Sequence, residues 1–329
     1  MTYAGAGVDI AAGEAAVKRI RGLAARTHGP EVLEGLGGFG GLYDFSNHNY
    51  RQPVLVASTD GVGTKLKIAF LTGRHDTVGQ DLVNHCVNDI LATGAVPLFF
   101  LDYFAAGILE GDIFEEVVGG MALACRENGC ALLGGETAEM PGFYQPGEYD
   151  LSGTIIGVAE KDGLLAKRAV ESGNLLVGIP STGLHTNGYS LARKVLLEQW
   201  DVADEVPELG MTLGAALLQV HRSYLDLTTP LLDRPWLRGL GHITGGGLEG
   251  NLGRIIDRDR TLAIDWESWS WPPIFQLIQE TGQVPLADMR STFNLGLGWI
   301  FVIDPEGLGE LKAHLESQGE DCTVIGEVR

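Results

Sequence analysis

Short apolar runs alternate along this chain with longer stretches in which apolar residues recur every three or four positions. Residues 10–27 put Ile10, Val17, Ile20 and Leu23 near one face and predict an amphipathic helix. "PVLVAST", 53–59, predicts a strand that runs into "DGVGTK". "DTVGQDLVNHCVNDILATG", 76–94, reads as a helix closing on Gly94. "AVPLFFLDYFAA" reads as a buried strand, and "GDIFEEVVGGMALACRENG" as a helix with Asp112 at its start. "CALLGGETAEMPG" reads as a strand entering a loop, and "EYDLSGTIIGVAEKD" as another strand. The polar, interrupted "EKDGLLAKRAVESG", 160–173, divides the chain into domains 1–165 and 166–329. The second half opens with a strand, a loop and a helix in "NLLVGIPSTGLHTNGYS". Helical stretches are expected over 188–200 and 211–233, before further strands and helices that end in "CTVIGEV". Strands and helices alternate in both halves, which predicts an α/β architecture.

Composition narrows the partners. The formal net charge is −20 over 329 residues, a surface that repels phosphate backbones and anionic lipid. Nucleic acid and membrane are therefore not expected as partners, whereas a small phosphorylated ligand held by local N–H groups and a metal is compatible. "MTYAGAGVDIAAGEAAVKRI" has no apolar leader core, and no run approaches the ~18 apolar residues of a membrane span. A cytoplasmic location follows as an expectation. Cys86, Cys125, Cys130 and Cys322 lack zinc spacing and read as free thiols in a reducing compartment.

The glycine stretch "GLGGFGG" satisfies G-x-G-x-x-G from Gly35 to Gly40. The motif requires a strand before it and a helix after it. Polar "RTHGPEVLE" precedes this one and "GLYDFSNHN" follows it, so the match is coincidental. What remains is a mobile surface loop, or a lid whose bare backbone at Gly37, Gly38 and Gly40 approaches phosphates.

Other positions have the character of a cation and phosphate site. "STDGVGTKLK" places Asp60 at a strand end, then Gly61, Gly63, Thr64 and Lys65, a carboxylate, a turn and a cation. An ordinary turn with solvated Asp and Lys is the plainer alternative. Asn88 and Asp89 lie in an apolar helix, Asp102 in an aromatic strand, and Glu136 and Thr137 after Gly134 and Gly135. Acids among apolar residues are costly unless paired or metal-bound, and oxygen donors suit magnesium better than zinc. In the second half, "STGLHTNGYS" offers His185, Thr186, Asn187 and Ser190 at a helix start, and "HITGGGLEGN" offers Thr244, Gly245, Gly246 and Gly247. Two such loops suit a phosphorylated substrate, although helix capping and glycine turns explain either one alone. The Trp-rich "WESWSWPPIF" reads as core packing or a wall near the substrate.

These segments in this order resemble the aminoimidazole ribonucleotide synthetase family. The carriers are "AGVDI", "GLGGFG", "STDGVGTKLK", "VNDILATGAVPLFFLDYFA", "GGETAEMPGFY", "HTNGYSLARK", "HITGGG" and "TFNLGLG", which span almost the whole chain. The resemblance implies ATP-dependent closure of formylglycinamidine ribonucleotide to aminoimidazole ribonucleotide in purine biosynthesis. ATP phosphorylates the formamide oxygen, the ribose-bearing amidine nitrogen attacks the formyl carbon, and phosphate leaves. It further implies a homodimer whose N-terminal mixed sheets pair into a barrel with ATP near the interface, and a layered C-terminal α/β domain for substrate. On this reading Asp60, Asp89, Glu136 and Asp102 hold Mg2+–ATP. Gly37, Gly38, Gly40, Gly61, Gly63, Thr64, Asn88, Gly134, Gly135 and Thr137 line the nucleotide, and Lys65 neutralises phosphate. Thr244, Gly245, Gly246 and Gly247 hold the ribonucleotide phosphate, and His185, Thr186, Asn187 and Ser190 meet the substrate. His185 is the acid–base candidate, with plain hydrogen bonding as its alternative. A potassium effect is also implied. Related kinases, selenophosphate enzymes and a non-catalytic nucleotide-binding subunit are the competing readings. Three positions depart from the family pattern: the lysine before "AGVDI" is missing, Ser291 stands directly before "TFN", and Leu295 replaces a cysteine.

Overall fold

The computed structural model describes residues 10–329, so "AGVDI", except Ile10, lies outside the described residues. The first half opens with α1 (Ile10–Ala25) and a small hairpin, β1 (Val32–Glu34) and β2 (Leu42–Tyr43). There follow β3 (Pro53–Gly61), α2 (Leu66–Thr72), α3 (Asp76–Leu91), β4 (Val96–Ala106), α4 (Gly111–Glu127), β5 (Ala131–Glu139) and β6 (Tyr149–Glu160). The four long strands form a mixed sheet in the order β3-β6-β4-β5, with β4 and β5 parallel and the other pairs antiparallel.

The pleat sends alternate residues to opposite faces. One face carries Phe100, Phe104, Leu132 and Ile155, all buried in the core with α3 and α4. The other is largely open: Leu55 is 66% exposed and Tyr103 37%. The glycine hairpin lies at the β5 edge, where a side chain at Gly41 would strike Leu133. β3, which carries Asp60, is the opposite edge.

The second half contains β7 (Leu175–Pro180), α5 (Tyr189–Leu196), β8 (Glu205–Val206), β9 (Met211–Thr212), α6 (Leu213–Leu217) and α7 (Leu225–Thr228). These are followed by β10 (Leu237–His242), α8 (Gly247–Leu252), β11 (Leu262–Ile264), α9 (Pro273–Gly282), α10 (Leu286–Thr292), β12 (Leu297–Ile303), α11 (Leu308–Ser317) and β13 (Thr323–Val328). Five strands form one antiparallel sheet, β10-β12-β7-β13-β11. Every residue of β12 is buried, because apolar clusters cover both faces of this sheet. The chain is thus a two-domain mixed α/β protein. No described helix is long and apolar enough to cross a membrane.

Two sequence expectations are corrected. The strand from Cys130 does not give way to a loop at the glycines; β5 runs through Glu136 and Thr137 to Glu139. The stretch 211–233 is not one helix: α6 and α7 are short, and residues 219–224 between them are irregular. Side chains of the other domain replace the missing helical hydrogen bonds there.

Candidate active site

Those side chains form a polar stripe on α3. Asp81, Asn84, His85, Asn88 and Asp89 recur at helical spacing, so they share one face. Asn84 Nδ2 donates to His221 O at 2.8 Å, and Asp81 Oδ1 accepts from His221 N at 2.7 Å. Asn88 donates to Arg222 O at 2.9 Å and accepts from Tyr224 N at 3.0 Å. An irregular segment can be buried when its backbone groups find such partners. Asn88 is fully buried in this role, which corrects its expected place among the nucleotide contacts.

The segment delivers His221 to a chain of hydrogen bonds that crosses between the domains. His85 Nε2 lies 2.8 Å from Asp60 Oδ2, and His85 Nδ1 lies 2.6 Å from Thr186 Oγ1. Thr186 Oγ1 is 3.3 Å from His221 Nδ1, and His221 Nε2 is 3.0 Å from His242 Nε2. His242 Nδ1 then reaches Asp89 Oδ1 at 2.8 Å. These five contacts begin and end on carboxylates. Three neutral imidazoles and one hydroxyl supply only four hydrogens for them. With both carboxylates ionised, the chain is complete when one imidazole is doubly protonated. The two imidazoles beside a carboxylate can hold it: His85, where burial opposes the charge but the hydrogen bond and charge of Asp60 raise the pKa, and His242, since the Asn88 amide nitrogen also faces His221 Nε2 at 3.2 Å.

The carboxylates are shifted the other way. Burial works against the Asp60 anion, yet His85 and the Gly61 N–H hold its pKa below the usual range. Burial likewise opposes Asp89, and His242, His85 and Ser58 prevail. Both side chains stay partly open, 39% for Asp60 and 30% for Asp89. Beside Asp89 lies a cleft of about 330 Å³ whose wall includes Ser58, His242, Asn251 and Arg254.

The expected site residues separate into those that meet here and those that do not. Asp60, Asp89 and Thr186 meet. Thr64 is next to the second domain, its hydroxyl 3.1 Å from that of Ser190. Gly61 and Gly63 form the adjoining turn, with Gly63 at φ 65°. Asn187 borders Gly245, and Asn251 braces the glycine turn by donating to Gly247 O at 2.8 Å, with Thr244 Oγ1 on its own amide oxygen.

Within that turn the expected phosphate contacts of Gly246 and Gly247 are corrected. Gly246 stands at φ 101° directly before α8, and its N–H donates to Ser291 O at 3.0 Å. The Gly247 N–H donates to Thr244 O at 3.2 Å. Both N–H groups are therefore spent on the protein's own backbone, and the two glycines shape the turn through their left-handed φ.

Asp102 shares a register row with Asp60 across Gly153, but the Phe100 ring fills the space over that glycine. Asp102 instead lies against Gly135, and burial pushes its carboxyl up to about 7. Glu136 points away altogether. The β4–β5 register slips by one residue at Leu133, and a one-residue slip exchanges faces. Glu136 therefore pairs with Tyr103 on the open face, while Gly135 and Thr137 face the helices and Gly134 the open side. Gly37, Gly38 and Gly40 remain with the hairpin at the β5 edge, remote from Asp60 within one chain.

Two expected chemical roles are corrected as well. Lys65 is fully buried, with Nζ 2.8 Å from Asp81 and 2.7 Å from Gln219 O, so no phosphate reaches it. His185 is also buried, at φ 61°, and its ring stacks on His221 with centroids 4.0 Å apart. Its Nε2 accepts from Thr182 N at 3.3 Å, and its Nδ1 meets no partner among the described residues. Burial, then the nearby cations and imidazoles, holds its pKa well below the ordinary value, so it is neutral and supports the chain by packing. The sequence pattern alone assigns no role to His85, His221 or His242. His85, four residues before Asp89, and His242, opening "HITGGG", had usable positions; His221 had none.

The histidines predict acid sensitivity. Burial lowers the pKa of His185, His221 and His242. On acidification below about 6.5 the unfolded chain takes up these protons while the folded one resists, so stability falls with pH. His85 and Asp102 oppose this: the raised pKa of His85 stabilises most below that pH and its contribution fades as pH rises, and the Asp102 carboxyl, pushed up to about 7, takes up its proton first in the folded chain. In Asp102→Asn, which removes the opposing carboxyl, melting temperature should fall from pH 7 to pH 5; a flat or rising profile contradicts the neutral assignment.

A family model for the AIR synthase related protein N-terminal domain matches residues 48–159, and one for its C-terminal domain matches 171–329. The chain belongs to the AIR synthase related family. Phosphoribosylformylglycinamidine cyclo-ligase of Myxococcus xanthus is 52% identical over 99% of this chain and 95% of its own length. The cyclo-ligase of Desulfitobacterium hafniense is 48% identical over 99% and 96%. The fold is shared with thiamine-monophosphate kinase from Stenotrophomonas maltophilia, at TM-score 0.70 and 20% identity over 94% of this chain and 92% of that one. It is shared too with hydrogenase maturation protein HypE in complex with ATP, at TM-score 0.62 and 20% identity over 94% and 85%.

Proposed function

We propose that the chain is an ATP-dependent cyclo-ligase of purine biosynthesis that converts formylglycinamidine ribonucleotide to aminoimidazole ribonucleotide, ADP and phosphate. The observation that carries this is identity near 50% over the full length to cyclo-ligases. ATP use is consistent with the fold shared with an ATP complex of HypE. The enzyme would work in the cytoplasm, with its cysteines reduced, and potassium would assist it.

Asp60 and Asp89 would offer oxygen donors to Mg2+: both are partly open and each is hydrogen-bonded to an imidazole at 2.8 Å, although the atoms close enough to share one ion are those of His85, Asp89 and His242. When bound, the ion neutralises phosphate charge during transfer to the formamide oxygen. His85 and His242 orient the two carboxylates. The turn Thr244 to Gly247, with Asn187 and Ser190 nearby, would hold the ribonucleotide phosphate. Gly245 would present its N–H, while Gly246 and Gly247 fix the curvature of the turn. Gly247→Ala tests that turn. Its φ is 64° and a Cβ there would collide with Arg290 O. We expect the KM for ribonucleotide to rise at least tenfold with the KM for ATP unchanged; equal rises would move the phosphate elsewhere.

We assign a homodimer on two grounds. An open sheet face carrying Leu55 and Tyr103 is apolar enough to pair with a second copy. The glycine loop and Glu136 also sit toward the opposite edge of the sheet from Asp60, and a partner's sheet would bring the two edges together as a barrel. Leu55→Asp with Tyr103→Lys should sediment as a monomer and lose turnover; a fully active monomer ends this assignment. For the function itself, phosphate and aminoimidazole would be followed together with substrate, ATP, magnesium and potassium. Matched, substrate-dependent formation of both supports the cyclo-ligase, and phosphate without imidazole moves the assignment to a sister kinase.

A further inference from the structure

We infer that Lys65 and Asp81 form a positioning pair that sets His221 into the hydrogen-bonded chain between Asp60 and Asp89, and that ring closure depends on the pair through His221. The inference rests on the cyclo-ligase reading for its kinetic readout. Lys65 lies in the turn after β3 and Asp81 on α3, and both side chains are 0% exposed. The ammonium donates to Asp81 Oδ1 at 2.9 Å and lies 2.8 Å from Oδ2. It also donates to Gln219 O at 2.7 Å, two residues before His221. Asp81 Oδ1 in turn accepts from the His221 N–H at 2.7 Å, while Asn84 holds the carbonyl of the same residue. The backbone of His221 is thus gripped on both sides by the first domain. Its ring can then meet Thr186 and His242 at once.

A buried ion pair is a poor source of stability, and an apolar pair of the same volume often serves equally well. What an apolar pair cannot do is accept the His221 N–H or hold Gln219 O. These two contacts bear on the segment that carries the imidazole, and displacements near 1 Å at such groups cost about 100-fold in rate.

The test is Lys65→Met with Asp81→Leu, which removes both charges together. We expect a folded enzyme with kcat reduced about 100-fold and both KM values within about threefold, the pattern of lost positioning. In a His221→Ala background the same double change should cost nothing further, because one path is already broken. Full kcat in the folded double variant overturns the inference, as do losses that multiply with that of His221→Ala. A rise confined to the KM for ATP would return Lys65 to phosphate binding. If the apolar pair does not fold, Asp81→Asn is compared with Asp81→Val. Only the first keeps an oxygen for His221 N, so its kcat should be at least tenfold higher; equal losses overturn the inference. Nitrogen-15 resonances of the His221 ring should shift in the pair variant whether or not the unmodified protein makes imidazole. An unmoved ring overturns the positioning role independently of the proposed reaction.

Discussion

Asp89→Asn is expected to lower kcat/KM on the order of 10³-fold while leaving the fold intact, because two functions fail together. The first is geometric. A carboxylate can only accept from His242 Nδ1, and that fixes the ring nitrogen that carries the His242 proton at this end of the chain. A carboxamide can present its N–H₂ to the same nitrogen and reverse the His242 tautomer. The second is electrostatic: one of the two anions proposed for Mg2+ disappears. Stability should change little, since the side chain is partly open and the amide is isosteric. Steady-state phosphate release and imidazole formation check this, with a melting curve alongside. A loss below tenfold would remove Asp89 from the chemistry.

Lys65→Met alone should be the most destabilising single change at the domain junction. It leaves Asp81 buried and unpaired, and breaking a buried pair in this way costs about 3–5 kcal/mol. For a chain of this size that is roughly a 10 °C fall in melting temperature. The ordering is the sharper part of the expectation: the single variant should melt well below the double variant with Asp81→Leu, although it changes fewer residues. A single variant within about 1 kcal/mol of the unmodified protein would mean that the junction admits water to Asp81. Burial already strains both charges, lowering the pKa of Lys65 and raising that of Asp81, so neither has solvation to fall back on.

The framework was legible wherever a periodic pattern met a clear stop. α3 ends close to the glycine that was expected to close it, and β4, α4 and β6 fall inside their predicted stretches. Asp60 and Asp89 could be named because acids beside apolar runs are costly. The failures have two physical sources. A one-residue register slip at Leu133 decided the direction of Glu136, and nothing local in "GGETAEM" announces it. Long-range partners decided the rest: Lys65 turned inward to an aspartate sixteen residues on, Asn88 to backbone more than a hundred residues away, and the Gly246 N–H to the carbonyl of Ser291. His221 sits in a stretch whose local pattern favoured a helix, and the pattern was overruled by side chains from α3.

The irregular run 219–224 has a consequence for how the chain is made. The side chains that hold its His221, Arg222 and Tyr224 backbone belong to α3, which leaves the ribosome well over a hundred residues earlier. The nascent first domain can therefore display its stripe of Asp81, Asn84 and Asn88 as a finished template, onto which the later segment zips as it emerges. A C-terminal fragment translated alone would meet no such template. The polar stretch 160–173 separates two sheets, and the halves should recover a native junction only when expressed together.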